Sequence, residues 1–456
     1  MTLTTILSLI TAAALGLTGI TYFLLKHKDS LLVSFLQNWT GALFLFSGYV
    51  KAVDPLGTAY KMEQYFAEFE STFADTAMSF AAPLFPAMAE YSVGFSVFMI
   101  VLEIVLGLAL VIGFWPKLTS WLFFLIVAFF TVLTGFTFLT GYVPSGVNFF
   151  AFGDWGPFAE TNMKVTDCGC FGDFLKLEPF TSFMKDVALM VPAVLFLFTS
   201  NKMHQLASAK TRTIAVGLLA VGSLLYGMSN YVWDIPGQDF RPFKVNTDVA
   251  GVKQAEMDAA AAQQVTGYSM VNKTDGTVKE LSMTEFLKVY KDYPEDQWEY
   301  NQLKSPLTME ATKISDFEMT DETGDDPIPA MLEDDGYTFL IVAYKLKGDK
   351  GDWKQSYLDD WKNDIQPLAR QAKAAGHKVY GLTKLNDPAA IADFRAAIGA
   401  DYPFWQGDDI MLKTIIRSNP GVVLMKDGVI INKWHHARLP EFEEMKGREI
   451  LAAAGK

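Results

Sequence analysis

"VGFSVFMIVLEIVLGLALVIGFW", residues 93 to 115, contains a single ionisable side chain, Glu103. A helix rises about 1.5 Å per residue, so a run of this length crosses a hydrocarbon core ~30 Å thick. Reading it as a membrane span decides the fold, because the pattern recurs. The stretches 3–25, 31–53 and 119–143 have the same character, and two less apolar ones, 182–200 and 211–233, bring the number to six. Half of the residues are hydrophobic, with 36 Phe and 10 Trp, and the long apolar runs all end before residue 234. The expected fold class is a polytopic α-helical membrane protein, embedded in a lipid bilayer, followed by a soluble polar half.

The formal charge of −13 is segregated. Lys26, Lys28, Lys117, Lys202, Lys210 and Arg212 occupy the loops after spans one, three and five, with only Asp29 against them. The alternate loops carry Asp54, Glu63, Glu68, Glu70, Asp75, Glu90, Asp154, Glu160, Asp167, Asp173 and Glu178. By the positive-inside rule the first set is cytoplasmic, which puts both termini and everything after Trp233 outside. The acidic balance excludes nucleic acid, which demands clustered Lys and Arg. A cleaved signal peptide needs a positive N-terminal region; MTLTT has none, so residues 1–30 are read as an additional N-terminal transmembrane helix. Between spans two and three, 58–90 places Tyr65, Phe66, Phe69 and Phe73 near helical spacing. Two assignments stand for it: an amphipathic helix on the outer membrane surface, broken by Pro83 and Pro86, or a packed loop helix.

The only two cysteines lie in "TDCGCFGDF" (166–174). That loop falls on the outer, oxidising side, where disulfides persist. A Cys-Gly-Cys disulfide requires a turn, which Gly169 permits. It would brace almost nothing, since stabilisation grows with loop length, and strain would make it an oxidant. Three readings remain: a redox-active pair of Cys168 and Cys170, packed thiols or a structural turn, and a metal clip. No histidine lies in an outer loop near them, so no metal site is assigned. Asp167 and Asp173 oppose thiolate formation, while Lys164 or Lys185 would favour it at close range.

Ionisable groups inside spans are costly and point to function. Glu103 sits mid-span, Lys51 ends span two in "FSGYVKAVDP", and Lys185 and Asp186 lie one turn into span five. Lys51 and Asp186 fall at similar depth, which would allow a buried pair. The alternative is packing or snorkelling to the interface, for which Glu103 is too deep. Gly41, Ser47, Gly48, Gly94 and Gly107 read as close helix contacts.

In the soluble half, 234–309 reads as an extracytoplasmic connecting segment, with a short helix at 254–264 and a hairpin signal at Asp275–Gly276. Residues 310–456 alternate strand 338–344, helix 357–375 closed by Gly376, strand 378–383, helix 388–398, strands 421–426 and 429–434 joined by Asp427–Gly428, and helix 440–453. This is the pattern of a small α/β domain. "RSNPGVVLMKDGVIINKW" (417–434) resembles the cis-proline and hairpin of a thioredoxin-like domain, with Pro420 in the proline's place. The redox Cys-x-x-Cys expected after strand 338–344 is replaced by KLKGDKGDWKQS, and no cysteine follows residue 170. Such a domain binds or scaffolds rather than exchanging thiols.

Taken together, "LFLFSGYVKAVDPLGTAYKMEQYF" (43–66), "LEIVLGLALVIGFW" (102–115) and "DCGCFGDFLKLEPFTSFMKD" (167–186) resemble the DoxX superfamily, and within it the MauE branch with its Cys-Gly-Cys-Phe-Gly loop. The resemblance implies a four-helix membrane bundle over spans two to five within a domain 31–233. By position it carries Cys168, Cys170, Phe171, Gly172, Asp173, Lys51, Glu103, Lys185 and Asp186. It also implies a bacterial inner-membrane location, with the N-terminus and C-terminal domain periplasmic. Two functions follow. One is a thiol–disulfide redox or maturation factor for an envelope partner, with quinone as the conceivable cofactor. The other is a non-catalytic subunit or scaffold of an envelope assembly. A transporter is a weaker third reading, because no inverted repeat is visible.

Overall fold

The computed structural model describes residues 2–23, 30–74, 76–165, 169–274, 276–309, 311–447 and 450. The chain divides into two compact units, Met1–Val232 and Trp233–Lys456.

The first unit is helical. Its helices are α1 (Leu3–Phe23), α2 (Leu31–Val53), α3 (Pro55–Ala74), α4 (Leu84–Glu90), α5 (Ser92–Ile112), α6 (Pro116–Thr140), α7 (Pro179–Thr199) and α8 (Ala209–Met228). Six of these, α1, α2 and α5–α8, are long and apolar enough to cross a membrane, α7 and α8 with short irregular extensions to Lys202 and Trp233. The starts follow local chemistry. Ser30 caps α2 by accepting from the Val33 N–H, and Pro116 and Pro179 occupy first-turn positions whose N–H would be unpartnered anyway. Pro83 and Pro86, expected to break a helix, instead begin one: Pro83 is the cap of α4.

α2 packs chiefly on α5, and α6 on α7. The α2–α5 contact is a backbone approach. A Cβ at Gly41 would come within 2.7 Å of the Gly107 carbonyl oxygen, and one at Gly107 within 2.7 Å of the Leu45 nitrogen. A Cβ at Gly94, by contrast, would meet nothing within 4 Å, so no close helix approach depends on that glycine. α3 packs against α5. Its Tyr65 is buried, with the hydroxyl 3.0 Å from Thr137 Oγ1 of α6, so one face of α3 is covered by protein.

The second unit contains two main sheets. After α9 (Val249–Ala261) come β1 (Val265–Asn272), β2 (Val278–Ser282), α10 (Met283–Val289) and β3 (Trp298–Lys304), forming an antiparallel sheet of order β2-β1-β3. The β1–β2 hairpin answers the expected turn signal, although Asp275 itself lies outside the described residues. Next come α11 (Ile328–Leu332), β4 (Tyr337–Ala343), the two-residue strands β5 (Gly348–Asp349) and β6 (Asp352–Trp353), α12 (Gln355–Asp360), a π-turn over 361–365, α13 (Gln366–Ala374) and β7 (Lys378–Lys384). The chain then forms α14 (Pro388–Ile398), β8 (Phe404–Gly407), α15 (Asp409–Ile415), β9 (Gly421–Lys426), β10 (Val429–His435) and α16 (Phe442–Gly447).

The five-stranded sheet runs β10-β9-β4-β7-β8. β4, β7 and β8 are parallel, and β9 is antiparallel to both β4 and β10. Every residue of β4 is buried, as a central strand covered on both faces requires. Trp361, Tyr357, Phe394, Phe339 and Phe404 fill the core beneath it. The β9–β10 turn places Asp427 and Gly428 at positive φ, 51° and 70°. Both central residues of a type I′ hairpin turn require this. The Asn419–Pro420 bond is cis, as the sequence pattern anticipated for Pro420.

Candidate functional site

Four helices of the first unit and one loop converge on a cavity of about 60 Å³. Its polar lining is Ser47 and Lys51 from α2, Glu103 from α5, Thr134 from α6, Lys185 and Asp186 from α7, and Cys170 from the loop before α7. The close α2–α5 approach explains the first pair. With Gly48 against Ile104, Lys51 meets Glu103 one helix away, Nζ to Oε1 2.5 Å. Lys51 and Glu103 are 7% and 2% exposed, so neither snorkels. Lys51 also sits over the Phe130 ring, 5.1 Å from its centroid. Asp186 is 1% exposed and pairs with its neighbour Lys185, while Thr134 Oγ1 lies 3.1 Å from its other oxygen. Lys51 is thus partnered by Glu103, where similar depth had suggested Asp186.

The cysteine loop reaches this cavity because of two anchors. Phe171, 1% exposed, inserts among bundle residues, its ring 5.8 Å from that of Phe46. The Cys170 carbonyl accepts from Ser47 Oγ at 2.9 Å, and the same hydroxyl lies 3.1 Å from Glu103 Oε2. Gly169 has φ 61°, a left-handed conformation that L side chains rarely adopt, and its Cα faces Lys61 of α3. Cys170 is a free, half-buried thiol. Burial pushes its pKa above the ordinary value. The Lys185 ammonium opposes that rise, and the Asp186 carboxylate adds to it.

Of the residues singled out from the sequence, Cys170, Lys51, Glu103, Lys185 and Asp186 come together at one cavity. Cys168 and Asp167 lie outside the described residues. Asp173 occupies the tip of the turn closed by the Phe171–Leu175 bridge and does not line the cavity. Lys164 pairs with Glu68 instead, at 3.0 Å. Ser47 and Thr134 are site residues that sequence reasoning missed; Ser47 had been read as a packing residue, and Thr134 gave no signal within its apolar span.

A quinone ring does not fit here. An engineered cavity that admits benzene measures roughly 150 Å³, well above the 60 Å³ available. Water fits, and the polar lining supplies partners for it.

In the second unit, the loop after β4 carries no cysteine, and Pro420 stands at the start of β9. Among the described residues, Asp360, Asp364 and His436 bring potential metal ligands within 4.8 Å of one another, with His436 Nδ1 2.9 Å from Asp364 Oδ2. Nothing beyond the cluster itself points to an ion there.

The chain matches no protein-family model, no curated protein and no solved structure.

Proposed function

We propose that this chain is a DoxX-type, MauE-like protein of the bacterial inner membrane, with its N-terminus and C-terminal domain periplasmic. In this reading Cys168 and Cys170 exchange two electrons with a thiol or disulfide of an envelope partner. The observation that carries it is the placement of the Cys170 thiol in the wall of a cavity lined by two lysines and two carboxylates. Charges inside a bundle are expensive to keep, and a thiol among them is positioned for chemistry that depends on local charge.

The exchange balances without a further co-reactant. One cysteine, as thiolate, attacks a sulfur of the partner's disulfide and expels one partner thiol. The other cysteine then attacks the mixed disulfide and expels the second. The Cys168–Cys170 pair is oxidised by two electrons, and the partner is reduced and carries both protons. The reverse direction starts from the oxidised pair and a partner dithiol.

The C-terminal sheet order and the cis-Pro420 preceding β9 support a thioredoxin-like domain. Without cysteines, this domain docks partners rather than exchanging thiols with them. That absence also supports the second reading, a non-catalytic scaffold.

Alkylation of the full chain in detergent, before and after reductant and oxidant, decides between them by mass. The redox reading expects two alkyl groups on the reduced protein and none on the oxidised one. A pair that stays reduced under oxidant overturns it. A Cys168→Ser, Cys170→Ser variant that keeps its phenotype and its co-purifying proteins favours the scaffold.

A further inference from the structure

A second concavity lies in the C-terminal unit, where the Cys-x-x-Cys of a thioredoxin-like domain would fall. It measures about 320 Å³, within the ~300–1,000 Å³ typical of ligand sites. Its walls carry Lys345, Lys350 and Lys384, the Asn386 amide and Trp353, with Asp349 the one acid. Three lysines and one carboxylate line it, and Asp393, bonded to the hairpin beside it and facing the Lys350 charge, adds a second acid, leaving the rim cationic in a chain of net charge −13. Among the described residues, none of the three ammoniums takes part in an ion pair.

The walls are fixed by their own hydrogen bonds. The β5–β6 hairpin turns through Gly348 and Gly351, at φ 126° and 78°. It is tied to α14 by Asp393, which accepts from the Gly351 N–H at 2.9 Å and Trp353 Nε1 at 2.8 Å. The Asn386 N–H donates to Gln406 at 2.8 Å, and the Lys345 carbonyl accepts from Asn419 Nδ2 at 2.7 Å. Like charges crowd this rim. Burial holds Lys347 below its ordinary pKa; Asp360 opposes that, while Lys354 and Lys345 add to the depression.

We propose that this pocket docks an acidic segment of a partner protein, with Asp and Glu carboxylates meeting Lys345, Lys350 and Lys384. Lysine heads are compact point charges that suit separate carboxylates, and Trp353 adds an apolar wall for the peptide stem. The inference goes beyond the redox reading and does not depend on the cysteines.

The test uses the full chain in detergent, carrying Cys168→Ser and Cys170→Ser so that no disulfide trapping contributes. A fluorescent Asp/Glu-rich peptide and its Asn/Gln counterpart are titrated by anisotropy, at low and at physiological salt. The acidic peptide is expected to bind saturably and to weaken with salt, while the amide peptide does not bind. The triple variant Lys345→Gln, Lys350→Gln, Lys384→Gln is expected to lose about tenfold or more in affinity. The triple Arg variant and Lys304→Gln, on β3 and not part of the pocket lining, should bind as the parent does. If the triple Gln variant does not elute like the parent, the three single Gln variants are read instead, each expected to weaken binding. Absence of acidic-peptide binding, equal binding of the amide peptide, or undiminished affinity in the Gln variants overturns the proposal. So does displacement of the peptide by inorganic phosphate at equal concentration, which would make the pocket a phosphate site.

Discussion

The two concavities contrast in how they handle charge. In the helical unit, two ammoniums and two carboxylates surround 60 Å³ of space and pair with each other. In the α/β unit, three ammoniums rim 320 Å³ without forming an ion pair among the described residues. Groups withdrawn from water must satisfy one another, whereas groups at a solvated rim can wait for a ligand. The first arrangement is interdependent, and its members should fail together. The second should tolerate loss of any member until a partner arrives.

The largest expected effect tests that interdependence. Glu103→Ala strands Lys51 as an unpaired buried cation and should cost about 3–5 kcal/mol. The double variant Lys51→Met, Glu103→Leu should recover most of it, measured as thermal unfolding in detergent. A double variant as unstable as the single one breaks the comparison. Phe171→Ala removes the anchor of the cysteine loop and should cost about 3 kcal/mol. It should also speed alkylation of Cys170, which in the parent should lag behind an exposed thiol near neutral pH because burial raises its pKa. Thr134→Val deletes one neutral partner of Asp186 and should cost about 1 kcal/mol.

Lys433 sharpens the contrast from within the second unit, since it is buried there. It bonds Asp239 Oδ2 at 2.7 Å and the Phe243 carbonyl at 2.6 Å. Burial, with Arg241 close by, pulls its pKa down to about 7. An unfolded lysine titrates near ~10.4. Between these values the unfolded chain binds the extra proton, so stability should rise as pH increases from about 7 toward 10. Melting curves of the parent at pH 7 and pH 9 should show this rise, and Lys433→Met should flatten it. Smallest of all, Lys345→Gln or Lys384→Gln should leave the melting temperature unchanged.

The spans were legible because length and apolarity suffice to define them. Span two was expected at 31–53 and is found at Leu31–Val53; the fourth starts three residues before its expected bound, at the helix-initiating Pro116. The identity of the charge pair was not legible. Composition gives the depth of Lys51 along its helix, but its partner depends on which neighbour faces it, and that was set by Gly41 and Gly107. Ser47 and Thr134 stayed hidden because a hydroxyl in an apolar helix equally well bonds its own backbone, as Thr134 also does to the Phe130 carbonyl. In the second unit, long strands and helices announced themselves by period. β8, four residues between Pro403 and Asp408, is too short for alternation to show. The cis Pro420 was readable only through the resemblance of 417–434 to a thioredoxin-like hairpin; nothing in the local sequence by itself excludes a trans bond.

The quartet of Lys51, Glu103, Lys185 and Asp186 sums to no net charge. In an energised bilayer, the transmembrane voltage therefore does almost no work on the resting cavity. Deprotonating Cys170 leaves one charge uncompensated, and some fraction of the ~2.3 kcal/mol per 100 mV available to a full crossing would then act on it. In the redox reading proposed above, the thiolate step is the point at which the membrane voltage gains purchase on this fold.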